Sequence, residues 1–453
     1  MHVIVGTGKT GLSVARFLAR SGIDFVLFDT RDEPPAKNEL LLTYGVDKCL
    51  FGASQVGILN DADVVVVSPG IDLRDEIFSG QDTSAAHWVS DIDLFVAENN
   101  KFVAENNKLS SDTARPVVGI TGSNGKSTVT TLVGELLAAA GLKVAVGGNI
   151  GIPVLDLLEQ PFDVAVLELS SFQLDITRNL PLRVATILNV TEDHMDRYPS
   201  MQAYRSSKQR IYQQAAQVVI NADDQATNTE HALKISYGHD PRLDWFIESD
   251  SATTIICGRG YKLDTGKLHV KGVHNWSNVM AALAICQALD IDLHHIEQSL
   301  LGFTGLSHRC QWVANVCDMD WLNDSKATNP GATLAAISGL AGSYSNKAIL
   351  IAGGDSKGAE LSVMAPALAE HVGHLIVFGR DAHRLAAICP DSVELSMVND
   401  LDEAVRLAAA RPLPSGYVLL SPACASLDMY PGFEARGQHF IKLVQEVVHA
   451  AHA

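Results

Sequence analysis

The sequence predicts an α/β protein with parallel sheets. Short apolar runs bounded by Gly, Pro, Ser or Asp recur along the chain, and segments with helical periodicity separate them. Such runs are typical of buried parallel strands, and the periodic segments are typical of crossover helices. The runs that carry this prediction are residues 64–67, 164–167, 185–188, 348–351, 375–378 and 417–420.

Length and composition narrow the class of protein. At roughly 100–200 residues per domain, 453 residues predict about two to four domains. Hydrophobic residues make up 47% and charged residues 19%, which favours packed domains over disorder. A formal net charge of −18 argues against nucleic acid as a partner, because phosphate polymers are repelled by an acidic surface.

Cysteine usage and the N-terminal residues indicate the compartment. The chain has seven cysteines, an odd number, and no CxxC motif. This pattern argues against a disulfide framework or a zinc site and favours a protein of the reducing cytosol. The N-terminus runs directly into a strand-like segment without the pattern of a signal peptide, and no apolar stretch is long enough to span a membrane. We therefore expect a soluble, cytoplasmic protein without membrane insertion.

Three blocks follow one another along the chain. The first opens at Val3, the second at the apolar run that begins with Pro116, and the third near Leu306. We place the domains at residues 1–91, 92–305 and 306–453. A perfect tandem heptad, FVAENNK at residues 95–101 and again at 102–108, lies near the first boundary. It is interpreted as a tolerated insertion in a linker, although about two helical turns could also lengthen a helix without changing its face.

A phosphate-binding loop is predicted at the start of the second block. A strand-like run leads into TGSNGKST at residues 121–128, and a helical pattern follows until Gly141. Backbone N–H groups of such a loop cradle phosphates, with the lysine on the β- and γ-phosphates and the hydroxyl on Mg²⁺. The loop departs from GxxxxGK[ST] because Ile120 takes the first glycine position. The predicted ATP-contacting residues are Gly122, Ser123, Asn124, Gly125, Lys126, Ser127 and Thr128.

The first block opens with a second glycine turn. GTGKTG at residues 6–11 follows a strand, and another strand ends at Asp29. This arrangement is typical of dinucleotide binding, but it requires only that backbone approaches a phosphate and that Asp29 accepts a hydrogen bond. A UDP-sugar satisfies both conditions as well as a nicotinamide cofactor does.

Polar residues follow three strand-like runs of the second block. Glu168 ends one run, Asn149 follows another, and His194 lies in the loop after a third. The carboxyl ends of parallel strands meet at one edge of a sheet, so these residues should lie near the phosphate loop. Glu168 and His194 are candidate Mg²⁺ ligands, although magnesium prefers oxygen and an isolated histidine is more often a structural hydrogen-bonding residue.

These motifs together resemble the Mur ligase family. The matching stretches include the phosphate loop, ELSSFQL at 168–174, NVTEDHMDR at 189–197, HNWSN at 274–278, LSHR at 306–309, NDSKATN at 323–329 and LSPACAS at 420–426. Three of them, ELSSFQL, NDSKATN and LSPACAS with the later FEARG, point to the D-glutamate-adding branch. The resemblance covers nearly the whole chain, but the segment between residues 70 and 121 is longer than the family pattern leads us to expect.

The resemblance implies three domains and a ligase activity. A Rossmann-like N-terminal domain would bind UDP, a P-loop-type central domain would bind ATP, and a Rossmann-like C-terminal domain would contribute to the D-glutamate site. The implied reaction is ATP-dependent ligation of D-glutamate to UDP-N-acetylmuramoyl-L-alanine through an acyl phosphate, in peptidoglycan precursor biosynthesis, cell wall biogenesis and cell division. ATP and Mg²⁺ are the implied cofactors, and we expect a monomer.

The resemblance also assigns residues to the substrates. Asn275, Arg309 and Asp324 would contact ATP. The implied UDP-substrate contacts are Gly8, Thr10, Asp29, Thr30, Gly70, Asn149 and His194. The implied D-glutamate contacts are Thr328, Lys357, Ser426 and Phe433. The implied catalytic residues are Lys126, Glu168, His194, Lys208 and Lys326, and the implied metal ligands are Ser127, Glu168, His194 and Lys208.

For Lys208, the local sequence pattern and the family resemblance predict different environments. From the sequence alone it is an exposed helical lysine. The family carries a carbamate at the matching position, which would turn the cation into an anionic oxygen ligand suited to Mg²⁺.

Three other functions remain open at this level. One is a different ATP-dependent amide ligase, such as a folylpolyglutamate-synthase-like enzyme, which NDSKATN and the N-terminal block disfavour. The second is a nicotinamide oxidoreductase, based on the first glycine turn. The third is a non-catalytic nucleotide-binding module, against which Lys126, Glu168 and His194 argue. Cys424 is expected to be a buried, unreactive thiol because no base is evident nearby.

Overall fold

A computed structural model of the protein describes residues 1–79, 86–106, 115–195, 197–249, 253–341, 343–411 and 415–452. Three sheets contain its strands. The chain divides into two compact units. The first comprises Met1–Glu248, Cys257–Lys262 and Asn278–Glu297, and the second comprises Ser249–Ile256, Leu263–Ser277 and Gln298–Ala453. The predicted α/β class is confirmed, whereas the boundaries after residues 91 and 305 stay predictions.

The N-terminal sheet is five-stranded and parallel. Its elements, in chain order, are β1 (His2–Val5), α1 (Lys9–Arg20), β2 (Phe25–Asp29), α2 (Lys37–Tyr44), β3 (Cys49–Phe51), β4 (Val64–Val67) and β5 (His87–Val89). The strand order is β3-β2-β1-β4-β5. The order reverses direction between β1 and β4, and ligands of such sheets bind at that switch point, beyond the carboxyl ends of the strands.

The central sheet is nine-stranded. Its elements are α3 (Asp91–Asn106), β6 (Val117–Thr121), α4 (Lys126–Ala139), β7 (Val144–Gly148), β8 (Val164–Glu168), α5 (Ser171–Ile176), β9 (Leu182–Ile187), α6 (Met201–Gln209), β10 (Ala215–Asn221), β11 (Lys234–Gly238), β12 (Trp245–Ser249), β13 (Thr254–Gly258), β14 (Tyr261–Asp264), α7 (Val273–Ala288) and α8 (Leu293–Gly302). The strand order is β14-β13-β12-β11-β10-β9-β6-β8-β7. Because β6 lies between β9 and β8, the three loops that follow them end at one edge.

The C-terminal sheet is six-stranded and belongs to the second unit. Its elements are β15 (Gln311–Val316), β16 (Met319–Asn323), α9 (Pro330–Leu340), β17 (Ala348–Gly353), α10 (Ala365–His371), β18 (Val372–Phe378), α11 (Ala382–Ala387), β19 (Glu394–Met397), α12 (Leu401–Ala409), β20 (Gly416–Leu420) and α13 (Phe433–His452). The strand order is β15-β16-β20-β17-β18-β19, with β15 antiparallel to β16. Helix α13 buries Phe440 and Val444 against this sheet, so its apolar face belongs to the core of the second unit.

The tandem heptad is not in a linker, so that interpretation was wrong. Its first copy lies within α3, where Phe95 and Val96 are buried in the core of the first unit and Phe95 stacks on Phe162. Asn99 exchanges hydrogen bonds with Arg115. The second copy continues the same helix as far as Asn106, and the rest of it lies outside the described residues. The described part of the second copy, residues 102–106, therefore extends a packed helix, which was the alternative interpretation.

In the described part of the chain, no helix combines the length and the apolar character that crossing a membrane requires.

Candidate active site

The phosphate loop joins β6 to α4 in the first unit. Gly122 and Gly125 have φ angles of 156° and 81°, which an L-residue rarely adopts. Lys126 folds over the loop, and its Nζ donates to the carbonyls of Gly122 and Ser123, each at 2.9 Å. Asn189, at the end of β9, braces the loop by accepting from the backbone N–H of Asn124 at 2.8 Å. The strand, loop and helix predicted from the sequence are therefore confirmed.

A buried carboxylate lies beside this loop, at the end of β8. Glu168 is 2% exposed, and its Oε2 accepts a 2.7 Å hydrogen bond from the Ser127 hydroxyl. Its Oε1 accepts from the Asn149 amide, also at 2.7 Å. The structure thus brings together Ser127, Asn149 and Glu168, which are far apart along the chain but were expected to meet near the phosphate loop. A hydroxyl and a carboxylate are the hard oxygen donors that Mg²⁺ prefers, so this donor set fits that ion.

Lys208 is buried, which corrects the exposed position that its pattern predicts. It lies on α6 with 1% of its surface exposed, its Nζ 2.9 Å from the Gly122 carbonyl and 4.5 Å from the centre of the Tyr204 ring. Burial and the nearby Lys126 ammonium lower the pKa of Lys208 to about 7. Two lysines therefore donate to the same carbonyl of the phosphate loop.

His194 packs against aromatic rings at the edge of the same region. It has a φ of 56°, and its ring lies 4.8 Å from that of Phe172 and 6.2 Å from that of Tyr204. The Tyr204 hydroxyl lies 3.2 Å from the Ser123 hydroxyl, which connects these rings to the phosphate loop. His194 Nε2 is 3.5 Å from an oxygen of the adjacent Asp193. Its predicted place among the metal ligands stays a prediction.

A cavity of about 550 Å³ opens at the switch point of the N-terminal sheet and extends to the central sheet of the same unit. Its wall contains six residues that the sequence analysis assigned to the UDP-substrate, namely Gly8, Thr10, Asp29, Thr30, Gly70 and Asn149. Among the described residues that line this cavity, His194 does not occur. Residues of the wall that the sequence reasoning missed include Thr7, Lys9, Arg31 and Gln173.

Asp29 is held by neighbours that the sequence did not reveal. Its Oδ2 accepts from the Thr7 hydroxyl at 2.6 Å and from the Thr7 N–H at 2.9 Å, and the Arg31 guanidinium donates to both oxygens. Burial acts to raise the pKa of Asp29, but the hydrogen bonds from Arg31 and Thr7 outweigh it and hold the pKa well below its usual range. Asp29 is therefore a rigid, ionised wall of the cavity. In the sequence, the only sign of this arrangement was that Arg31 follows Asp29 by two residues.

In the second unit, the segment after β16 carries three predicted residues, Asp324, Lys326 and Thr328. Asp324 is 7% exposed and accepts from the Ser421 hydroxyl at 2.7 Å and from the Cys310 N–H at 3.2 Å. Burial raises its pKa to about 6. Lys326 Nζ lies 5.4 Å from the centre of the Phe433 ring, so these two predicted residues are neighbours.

Arg436 fastens three segments of this unit together. It is 1% exposed, and its guanidinium donates to the carbonyls of Ser325, Gly353 and Cys424 at 2.9–3.2 Å. Those segments follow β16, β17 and β20 and carry the predicted residues Lys326, Thr328, Lys357 and Ser426. Asp355 and Ala425 also exchange backbone hydrogen bonds. The sequence motif FEARG contained Arg436, but no role was predicted for it.

Two other predicted nucleotide contacts lie in the second unit, Asn275 and Arg309. The Asn275 amide donates to the Lys271 carbonyl at 2.8 Å, and the Arg309 N–H donates to the Leu306 carbonyl. Their contacts with ATP stay predictions. Cys424 is buried, and its pKa is raised to about 12 by that burial, as expected of an unreactive thiol.

Family models match most of the chain. A MurD-like N-terminal domain of the Mur ligases matches residues 1–87, the Mur ligase middle domain matches 120–286, and the Mur ligase glutamate ligase domain matches 308–424. Two curated relatives are each named UDP-N-acetylmuramoylalanine–D-glutamate ligase. The protein of Legionella pneumophila (strain Paris) is 42% identical, covering 98% of this chain and 99% of its own length. The protein of Pseudomonas aeruginosa (strain PAO1) is 42% identical, covering 98% of each.

Solved structures of the same kind share the fold. The structure of UDP-N-acetylmuramate–alanine ligase MurC from Thermotoga maritima aligns with a TM-score of 0.55 and 19% identity, covering 98% of this chain and 99% of that one. The structure of MurF from Acinetobacter baumannii aligns with a TM-score of 0.57 and 18% identity, covering 98% and 93%. At such identities the likeness concerns the fold alone, and it agrees with the predicted three-domain architecture.

Proposed function

This chain belongs to the Mur ligase family, and we propose that it joins D-glutamate to UDP-N-acetylmuramoyl-L-alanine with conversion of ATP to ADP and phosphate. The observation that carries the proposal is the pairing of Ser127 and Asn149 with Glu168 beside the phosphate loop. Relatives 42% identical over nearly the whole chain bear the name of that D-glutamate ligase, which supports the choice of substrates. The reaction serves peptidoglycan precursor synthesis.

Amide formation from a carboxylate needs activation, because a carboxylate oxygen is a poor leaving group. The carboxylate of the UDP-linked substrate attacks the γ-phosphorus of ATP, so a C–O–P bond forms and ADP leaves. The amine of D-glutamate then attacks the acyl carbon, loses a proton and expels phosphate. Lys126 can donate to phosphoryl oxygens where negative charge develops, and Lys326 is our candidate for support at the acyl centre.

Magnesium is the metal that we assign to the first unit. Ser127 and Glu168 would hold it, with His194 and Lys208 as the further predicted ligands. Bound there, it neutralises charge on phosphate oxygens. The protein's own contribution is orientation: Asn149 holds one oxygen of Glu168, which leaves the other directed at Ser127 and the start of α4.

Lys208 is proposed to carry a carbamate. The side chain is buried, and it donates to the same carbonyl as Lys126, so a second ammonium there is repelled. A neutral lysine amine adds to CO₂ and releases one proton, giving an anionic oxygen pair. ¹³CO₂-labelled protein should show a carbamate carbon signal by NMR that is absent from Lys208→Met. Full activity of a wild-type enzyme that shows no carbamate signal, prepared in CO₂-free buffer, would refute this modification.

The D-glutamate contacts are assigned to the second unit. We propose Thr328, Lys357, Ser426 and Phe433, since Arg436 and the paired Asp355 and Ala425 hold the segments that carry them. Asn275, Arg309 and Asp324 are proposed for ATP. We propose a cytoplasmic location, supported by seven cysteines that are all free thiols. We also propose that the protein is a monomer. Gel filtration with light scattering would measure the oligomeric state.

The decisive assay is phosphate release from ATP with a panel of acceptors and amino acids. We expect release only when UDP-N-acetylmuramoyl-L-alanine and D-glutamate are both present, with L-glutamate and D-alanine as matched controls. Mass spectrometry should find the corresponding amide. Glutamylation of a folate acceptor, or preference for another amino acid, would instead support a different ligase of the same ATPase core.

A further inference from the structure

The first unit contains a polar contact between the UDP cavity and the loop of His194. Residues 68–71, which follow β4, form part of the cavity wall. Directly after them, Asp72 accepts from the Arg74 guanidinium at 2.8 and 2.9 Å and lies 3.2 Å from Arg197 Nε. Arg197 Nη2 also donates to the Ile71 carbonyl at 2.7 Å, and Arg74 donates to the Arg197 carbonyl at 2.6 Å. Asp72, Arg74 and Arg197 thus bridge the N-terminal and central sheets.

The same arginine also fixes the turn that carries His194. The main-chain N–H of Arg197 donates to the His194 carbonyl at 2.9 Å. The Arg197 guanidinium lies 4.8 Å from the centre of the Phe172 ring, on which the His194 ring also packs at 4.8 Å. Phe172 is followed by Gln173, another residue of the cavity wall. The Arg197 side chain therefore contacts both the cavity wall, at Ile71, and the Phe172 ring on which His194 packs.

We infer that Asp72, Arg74 and Arg197 form a positioning latch that couples the uridine-nucleotide substrate in the cavity to the placement of His194. The inference rests on the proposed function for the identity of that substrate. Arg197 itself is a positioning residue: its contacts are to the wall and to the histidine loop. Its side chain is only 22% exposed, so its bonds are better shielded from solvent than those of surface ion pairs. A guanidinium can donate to Ile71 and Asp72 simultaneously, whereas an ammonium lacks this fork.

A matched control exists in the same unit. Arg20 of α1 pairs with Glu159, and this ion pair also bridges the N-terminal and central sheets. It differs from the latch in being about half exposed, and within the described part of the chain it has no hydrogen bond or ion pair to the cavity wall or the His194 loop. Arg20→Ala removes a comparable bridge without touching the latch.

The test measures kinetics and binding for Arg197→Ala, Asp72→Ala, the double variant and Arg20→Ala. We expect Arg197→Ala to lower kcat and to raise KM for UDP-N-acetylmuramoyl-L-alanine by about tenfold each, because small misplacements of reacting groups slow catalysis strongly. KM for D-glutamate should change less than about twofold. The double variant should resemble Arg197→Ala, since the two side chains act as one unit. Arg197→Lys should show most of the loss of kcat and rise of KM seen in Arg197→Ala, because an ammonium lacks the forked donors.

Calorimetric titration with the UDP substrate alone, without ATP or metal, should show the same weakening in Arg197→Ala and none in Arg20→Ala. Wild-type constants in folded Arg197→Ala and Asp72→Ala, with at most a lower melting temperature, would overturn the latch and leave the proposed function intact. If Arg20→Ala changed kcat, KM and binding as much as Arg197→Ala does, the effect would come from general packing between the sheets and not from the latch. A wild-type enzyme without ligase activity on this substrate would overturn both.

Discussion

Residues 6–11 and residues 122–126 both connect a buried parallel strand to a helix of the first unit, and both require glycine. A Cβ at Gly11 would lie 1.8 Å from the Gly6 carbonyl oxygen, so the first turn cannot accept a side chain there. A Cβ at Gly125 would lie 2.5 Å from the Asn278 amide oxygen, and its φ of 81° is left-handed. Both turns therefore depend on a backbone shape that a side chain would disturb.

The side chains around the two turns differ. Beside the first turn, Asp29 is occupied by Thr7 and Arg31, so this carboxylate shapes a wall. Beside the second turn, Lys126 and Lys208 converge on one carbonyl, and Glu168 is buried next to Ser127. Backbone shape alone makes a phosphate-binding surface, whereas phosphoryl transfer needs converging charges in a protected place. Under the proposed function, we therefore expect substrate binding at the first turn and phosphoryl transfer at the second.

The largest effect is expected at the second turn. Lys126→Ala and Glu168→Ala should each reduce phosphate release by about a thousandfold or more, because each removes charge stabilisation from phosphoryl transfer. The affinity for the UDP substrate should stay within about twofold in both. Lys9→Ala, the corresponding lysine of the first turn, should raise only KM for that substrate. Near-normal turnover of folded Lys126→Ala, or an equal kcat loss in Lys9→Ala, would remove the distinction between the turns.

The next effect concerns the shape of the first turn. Gly11→Ala should destabilise the N-terminal sheet by about 1–3 kcal/mol, since the methyl group overlaps the Gly6 carbonyl. It should also weaken binding of the UDP substrate, as measured by titration, while ATP binding to the other turn is retained. Gly57→Ala is the control, because a Cβ at Gly57 has no neighbour within 4 Å. Unchanged melting and binding in Gly11→Ala would contradict the close approach.

The smallest effect is expected at Asp91, a buried carboxyl group outside both turns. It tests whether burial of an ionisable group is enough to indicate a functional site. Asp91, at the start of α3, is 2% exposed, has an unsatisfied Oδ1, and burial raises its pKa to about 7. An unfolded aspartate ionises near pH 4, so the folded state binds the extra proton between about pH 4 and 7. Stability contributed by that proton falls as pH rises through this window and is absent above it.

Asp91→Asn should therefore raise the melting temperature more at pH 8 than at pH 5, with kcat unchanged. Scanning calorimetry at the two pH values, together with the phosphate-release assay, provides the comparison. A lower melting temperature at pH 8 would mean that a partner stabilises the carboxylate, and a loss of kcat would place Asp91 in the reaction.

The strands and loops that depend on local pattern were predictable from the sequence. The phosphate loop, Glu168 at the end of β8 and the buried strand cores all lie where the sequence places them. Strand starts were less predictable. Strand β9 begins at Leu182, before the predicted run at 185–188, because exposed Arg183 interrupts the apolar pattern between buried neighbours.

Features that depend on distant contacts were not predictable. Lys208 is buried by the phosphate loop, 86 residues earlier in the chain, so nothing in its own helix indicates burial. Arg436 contacts carbonyls 12 to 111 residues away, and Arg197 contacts Ile71 across 126 residues. The resemblance to the Mur ligases supplied Lys208, which the pattern alone had misplaced.

The most direct measurement follows an oxygen atom from substrate to phosphate. UDP-N-acetylmuramoyl-L-alanine labelled with ¹⁸O in both carboxylate oxygens is incubated with ATP, Mg²⁺, D-glutamate and the enzyme, and the released phosphate is analysed by mass spectrometry. If the carboxylate attacks the γ-phosphorus at the second turn, each phosphate carries one ¹⁸O and the amide product keeps the other. Phosphate containing only ¹⁶O, with amide formed at the normal rate, would contradict the account.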